Sequence, residues 1–323
     1  MGRFQFLCFL FINLLLFSNQ NDSFIKEVRE IKIPNYEGAY NPSIIDLGER
    51  YLLVFRYDIY HAPVWRYPHR YLQFIGAVFL DHSFSVISEP KLIKELGNRV
   101  YDPRVIKKEN DIFIIFASPK IKEGQLFLSS QLNLAQLKIQ NDDVMVENKT
   151  ALFVSWQKLW EKNWAPFFDR NRLLLSYSIN PHLVVEPLEG GECEKVTQTK
   201  VIVDWPYGEI RGGTPGILDG DEYLGFFHSS ATMEDQVYRY FIGAYRFDGE
   251  FPFKLKAISQ KPFEYFDFYT TKKSPLTSAD VVFPGGFIIK ENKIFLIYGE
   301  NDTSIKLITI DKNELMNQLK PIR

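Results

Sequence analysis

Short apolar runs recur along the chain, each entered through a proline and followed by a polar turn and a second, aromatic-rich run. The first unit is Asn41-Pro42-Ser-Ile-Ile, the turn Leu47-Gly-Glu-Arg50, then Tyr51-Leu-Leu-Val-Phe-Arg56. The second is Asp102-Pro103-Arg-Val-Ile, Lys107-Lys-Glu-Asn-Asp111, then Ile112-Phe-Ile-Ile-Phe-Ala117. Ala165-Pro166-Phe-Phe leads through Asp169-Arg-Asn171 to Arg172-Leu-Leu-Leu-Ser-Tyr177, and Gly213-Thr-Pro215-Gly-Ile through Asp219-Gly-Asp-Glu222 to Tyr223-Leu-Gly-Phe-Phe-His228. The last runs from Phe283-Pro284-Gly-Gly-Phe-Ile through Lys290-Glu-Asn-Lys293 to Ile294-Phe-Leu-Ile-Tyr-Gly299. Successive prolines are 61, 63, 49 and 69 residues apart.

Runs of this length, rich in β-branched and aromatic residues and bounded by turn chemistry, predict strands. Proline is tolerated at the first residue of a strand. Units of roughly fifty residues built only of strand and turn predict the blades of a propeller, so residues 21–323 are expected to form one all-β, five-bladed β-propeller. Leu72 to Leu80 and Tyr240 to Phe247 supply outer strands. Helix is expected only at Ser155 to Lys162 and Lys312 to Leu319. The alternative is a β-sandwich whose hairpins share turn chemistry. In a propeller, equivalent positions of the inner strands meet at one mouth of the axial channel. The pre-proline residues Asn41, Asp102, Ala165, Thr214 and Phe283 would gather there, with Lys162, Asn163, Arg211 and Gly213 just upstream. The second strands would deliver Arg56, Ser118, Ser178, His228 and Glu300 to Asp302 to the same place. Many of these are polar where the repeat could have been apolar, which predicts a convergent polar site.

Other features narrow the setting. The 323 residues, 46% hydrophobic with 28 Phe and 17 Tyr, suffice for a full β core. A net charge of −2 offers no basic footprint for nucleic acid. Arg3 precedes an apolar run from Phe4 to Phe17, short for a membrane span and suited to a secretory leader. Residues 1–20 are therefore expected to be a signal peptide or an N-terminal membrane anchor. The body would then be secreted, periplasmic or in the lumen of the secretory pathway. Cys8 lies in that run, so Cys193 has no partner for a disulfide. His61, His69 and His82 lack ligand spacing and read as structural; no metal motif and no cofactor motif is present. Asn21, Asn148 and Asn301 each open a glycosylation sequon, too short a pattern to be decisive.

The motifs resemble those of glycoside hydrolase family 130, in order and over nearly all of the chain. Asn41-Pro42 with Arg56 is similar to the family's first-blade Asn-Pro and sugar-binding Arg. Tyr101-Asp102-Pro103-Arg104-Val105 resembles Glu-Asp-Pro-Arg-Val, whose Asp is the catalytic acid; here Tyr stands for Glu. Gly212-Gly-Thr-Pro215 with Phe226-Phe-His228 resembles the fourth-blade segment, and Tyr240 to Ala244 the one with a phosphate-contacting Tyr. Phe283-Pro284-Gly285 and Tyr298-Gly-Glu-Asn-Asp302-Thr303 resemble the fifth-blade Phe-Pro-Gly and Tyr-Gly-Ala-Asp-Thr, whose Asp holds sugar hydroxyls. The chain departs in the third blade: Glu161-Lys162-Asn163-Trp164 replaces a Lys-Asp pair, and Tyr177 to His182 lacks the family's phosphate-binding Arg. Arg211 appears one blade later. The Glu-Lys-Asn-Trp form resembles the branch with β-1,2-mannosyltransferases and related phosphorylases.

The resemblance implies Asp102 as general acid, and a cation such as Arg104 two residues on would lower its pKa. Taken alone, Asp102 could simply open a strand through an Asp-Pro turn. Lys162, Arg211, His228 and Tyr240 are the candidate anion site, for inorganic phosphate or a sugar phosphate. Their plainer readings are a solvated loop charge, a salt-bridge partner and a satisfied strand histidine. Asn41, Arg56, Arg104, Asn163 and Asp302 suit an oligosaccharide or glycoside. Trp164 and Trp205 are either stacking surfaces or core. Three activities stay open: phosphorolysis or transfer at a β-mannoside-type linkage, hydrolysis by an Asp102–Asp302 pair, or sugar binding without turnover.

Overall fold

A computed structural model describes residues 21–60, 71–120 and 129–322. Five antiparallel sheets stand in chain order around an axis, one for each proline-led unit. Blade I contains Tyr40–Asp46, Tyr51–Tyr60, Tyr71–Leu80 and Lys91–Leu92. Blade II contains Tyr101–Lys108, Asp111–Pro119, Ser130–Gln140 and Asp143–Leu152. Blade III runs Ala165–Asp169, Arg172–Ser178, His182–Pro187 and Cys193–Thr199. Blade IV splits its inner strand into Arg211–Gly212 and Ile217–Asp219, both paired with Glu222–Thr232, and continues through Tyr238–Asp248 and Leu255–Ile258. Blade V is Val282–Lys290, Lys293–Glu300 and Ser304–Asp311, completed by the N-terminal strand Ile25–Glu30. The first described strand thus closes the ring against Ser304–Asp311, a pairing that covers a sheet edge and joins distant parts of the sequence.

The two-residue turns after the inner strands of blades II, III and V place Glu109, Arg170 and Glu291 at positive φ, and Gly220 does the same in blade IV. That is the turn chemistry a tight hairpin needs. Apolar side chains fill the space between neighbouring blades. Val54, Ile75 and Phe79 meet Val105, Ile114 and Phe116 between blades I and II, and Phe167 and Leu174 meet Phe227 and Phe247 between III and IV. Gly285 sits where a Cβ would collide with the carbonyl oxygen of Pro42, so the inner strands of blades V and I can approach only through glycine.

Lys312–Gln318 is helical and capped by the Asp311 carboxylate, which accepts from the Glu314 amide. Ser155 to Lys162 is not helical. The Glu161 carboxylate there accepts from the Lys158 amide at 2.6 Å, Trp164 Nε1 at 3.1 Å and Tyr177 Oη at 3.1 Å, folding the segment as an irregular loop. The expected leader, together with His61 and His69, lies outside the described residues. Cys193 is buried and free, and His82 hydrogen-bonds the Gly48 carbonyl. Asn301 is buried, its amide given to the Thr271 carbonyl, so its sequon is closed to a glycan in the folded protein.

The candidate active site at one mouth of the channel

The beginnings of the inner strands and the ends of the second strands meet at one mouth. In blades I and II the register slips just at the proline, between Tyr40 and Ser43 and between Tyr101 and Arg104. Asn41 and Asp102 occupy these bulges with φ of 44° and 55°. A bulge re-aims a side chain out of the regular alternation, and here the two side chains meet each other. Strained left-handed residues gather at the same mouth, with Asn163 at 63° and Asp302 at 55°.

One half of the mouth is built on carboxylates. Asp102 Oδ1 accepts from Asn41 Nδ2 at 2.9 Å and Arg56 Nη1 at 3.1 Å. Arg56 also grips Asp58 through Nε and Nη2, both at 2.9 Å. Asp58 further accepts from Tyr40 and Tyr71, each at 2.5 Å. Sequence reasoning missed Asp58, yet Arg56 and Asp58 stand two apart on one strand, hence on one face, and that spacing was a usable signal. Tyr101 stands beside the carboxylates. Its ring lies 5.3 Å from the Arg56 guanidinium and 5.2 Å from the Lys162 ammonium, an aromatic face between two cations.

The pKa values of Asp102 and Asp302 are shifted in opposite directions. Burial would raise the pKa of Asp102, but Arg56, then Lys162 and Arg104, with the Asn41 hydrogen bond, hold it below the usual carboxylate range. Asp302 is pushed up to about 6 by burial; Arg56 pulls it down, but the charges of Asp102 and Asp58 add to the rise.

The other half is cationic. Arg104 is buried; Nε donates to the Gly213 carbonyl and Nη1 to the carbonyls of Asp102 and Pro103 at 3.1 and 3.0 Å. Its guanidinium lies 4.8 Å from the Phe283 ring. Burial brings its pKa down to about 10, against the pull of Asp102. Arg211 and His228 are cross-strand partners in blade IV. Arg211 gives Nη2 to Ser230 at 2.5 Å and lies 5.2 Å from the Tyr240 ring, which is parallel to that of His228. Burial, then Arg211 and Arg104, hold His228 well below its ordinary pKa, so its imidazole is neutral. Arg104 Nη2, Arg211 Nε and His228 Nδ1 are buried with no hydrogen-bond partner. Among the described residues no carboxylate forms a salt bridge with either arginine.

Lys162 is exposed at the rim, and the Asn163 backbone carbonyl packs against Gly212, joining the blade III loop to blade IV. Trp164 and Trp205 are core residues; Trp205 Nε1 is satisfied by Ser229 at 2.8 Å. Glu300 is an anchor: its buried carboxylate accepts from the Tyr269 and Thr271 amides at 3.0 and 2.9 Å and pairs with Lys306 at 3.1 Å. Among the described residues no cluster of His, Cys, Asp and Glu could hold a metal, and no helix is long and apolar enough to cross a membrane.

The family model for β-1,4-mannooligosaccharide phosphorylases, that of glycoside hydrolase family 130, matches residues 18–321. The chain belongs to this family. No curated protein matches it. Among solved structures it is similar to the β-1,2-mannobiose phosphorylase of Listeria innocua in complex with β-1,2-mannobiose. That likeness has a TM-score of 0.62 and 15% identity, over 90% of this chain and 92% of that one. A mannose phosphorylase of Leishmania mexicana in complex with phosphate gives 0.56 and 15% identity, over 93% and 92%. A structure described with the family's glycoside hydrolases that target β-1,2 mannosidic linkages in Candida mannan gives 0.64 and 11% identity, over 86% and 85%. At these identities the likeness establishes the propeller; the family as a whole contains mannoside phosphorylases and some hydrolases.

Proposed function

We propose that this member of family 130 moves a mannosyl-type unit between a β-mannoside linkage and an anionic partner, inorganic phosphate or a sugar phosphate. The observation that supports this reading is the cationic half of the mouth. Buried polar groups are normally hydrogen-bonded, and Arg104 Nη2, Arg211 Nε and a ring nitrogen of the neighbouring His228 lie buried and bare. A phosphoryl group supplies acceptor oxygens and the charge that such a cluster favours. With Lys162 at the rim, Arg211 takes over the anion-binding task of the arginine that blade III lacks.

In phosphorolysis a phosphate oxygen attacks the anomeric carbon while the glycosidic C–O bond breaks. The leaving oxygen takes up a proton supplied by Asp102, directly or through a sugar hydroxyl, and the proton of the incoming phosphate restores it. Asp102 is ionised while the cations face it unopposed. An anion bound beside Arg104 and Lys162 offsets their part of the field on Asp102, while Arg56 keeps the largest part, so its pKa moves upward. Substrate binding thus arms the acid.

One observation favours a second reading, hydrolysis. Asp102 and Asp302 have pKa values pushed apart in one site, the arrangement that divides base from acid. The deciding experiment is product analysis with β-1,2- and β-1,4-mannobiose, with and without phosphate. Mannose 1-phosphate formed only with phosphate, and lost in Arg211→Ala, is the expected result. Free mannose formed at an undiminished rate without phosphate, and insensitive to Arg211→Ala, would move the assignment to hydrolysis.

A further inference from the structure

The loop before Lys162 exposes three large apolar side chains within five residues: Trp156 at 41%, Leu159 at 63% and Trp160 at 49%. Single exposed apolar residues need no explanation, but a contiguous patch does. This patch adjoins the active site. Lys162 Nζ lies 5.4 Å from the Trp160 ring and 5.2 Å from the Tyr101 ring, and its charge acts on Asp102. One ammonium therefore links the indole of Trp160 to the catalytic carboxylate.

The loop is also held firmly from beneath. Glu161, buried to 2% exposure, ties the Lys158 amide, the Trp164 indole and the Tyr177 hydroxyl together. Ser130 fastens the same stretch to blade II: its amide donates to the Leu159 carbonyl at 3.1 Å and its hydroxyl to the Glu161 carbonyl at 3.0 Å. Trp156 leans on Tyr177 with ring centroids 6.2 Å apart. A loop so anchored presents its indoles already in place, which lowers the ordering cost of binding. A sugar ring offers an apolar C–H face and a rim of hydroxyls, the two surfaces that an indole beside an ammonium matches.

We propose that Trp160 and Trp156 form a stacking platform for sugar units of an extended oligosaccharide, beyond the linkage at Asp102. The inference rests on the reading of this mouth as a mannoside site. Lys162 stands at the junction, where the chain leaves the anion-lined mouth for the indole faces. Indoles are the main attraction there, so longer chains gain affinity and disaccharides gain none.

The test is binding of β-1,2- and β-1,4-linked mannooligosaccharides of two to six units to the full chain, by calorimetry and tryptophan fluorescence. Affinity is expected to rise with length in the parent. Trp160→Ala should lower affinity for chains of four or more units by roughly tenfold, the scale of one buried aromatic contact, and leave mannobiose unchanged. Trp160→Phe, which keeps a ring, should recover part of the loss, and Trp156→Ala should act on longer chains still. Leu159→Ser, on the same loop, should leave every affinity as it was. Equal losses at all lengths, or a parent that binds mannobiose as tightly as longer chains, would overturn the platform alone. A parent that binds no member of either series would remove both the platform and the mannoside reading.

Discussion

The two halves of the mouth differ in one respect that outweighs their difference in sign. In the carboxylate half the principal charges are met: Asp102 by Asn41 and Arg56, Asp58 by Arg56, Tyr40 and Tyr71. In the cationic half, guanidinium and imidazole nitrogens are buried and bare. Asp102 and Asp58 find partners within the protein, although the Asn41 amide oxygen beside them is buried and bare, whereas the cationic half leaves nitrogens of Arg104, Arg211 and His228 without an acceptor. The contrast also separates two histidines. His182 is buried with both ring nitrogens partnered, by Ser176 at 2.9 Å and the Phe253 carbonyl at 2.6 Å; His228 keeps Nδ1 unpartnered. The first is a piece of core; the second lines the proposed anion site.

The largest effect is expected on the carboxylate side. Asp102→Asn keeps the shape that Asn41 and Arg56 hold and removes the transferable proton. Turnover should fall by about a hundredfold or more, with sugar affinity nearly kept; unaltered turnover would strip Asp102 of its role. Next comes the satisfied histidine. The pKa of His182 is brought down from 6.5 to about 4, mainly by burial. Its contribution to stability is present above pH 6.5 and is lost as pH falls toward 4, on the order of 3 kcal/mol. Denaturant unfolding at pH 7 and pH 4.5 should show that slope in the parent and a flatter one in His182→Gln.

On the cationic side, Arg211→Ala removes a charged donor, worth roughly 1.5–3 kcal/mol, or about ten- to a hundredfold in phosphate affinity. Calorimetric titration with phosphate measures it, and an unchanged affinity would end the anion site as drawn. The smallest effect is expected at Asp302. Its folded pKa of about 6 lies above 3.8, so its stabilising contribution is complete below pH 3.8 and lost as pH rises through 6. Above pH 6 Asp302→Asn should raise stability by about 1–2 kcal/mol, reduced by the residue's partial exposure, and below pH 4 it should change nothing. A gain equal at both pH values would show that Asp302 is not a strained carboxylate.

Much of this is legible in the sequence. Five prolines, five polar turns and the apolar runs between them specify five hairpins, because a turn and a strand depend on residues a few positions apart. The recurrence of those units was also enough to gather Asn41, Asp102, Arg56, Arg211, His228 and Asp302 at one mouth. Everything that depends on partners distant in sequence lay beyond that reading. Ser155 to Lys162 has a helix-like pattern, but the Glu161 carboxylate, bound by Tyr177 and Trp164, folds it otherwise. Nothing near Ile25–Glu30 announces that it pairs with Ser304–Asp311 to close the ring. Nor do Asp102 and Asp302 differ in chemistry as written. Their pKa values part because one faces Arg56, Lys162 and Arg104, while the other is buried beside two like charges. Local order is encoded within a hairpin's length, whereas charge state and closure are properties of neighbours that only the folded ring brings together.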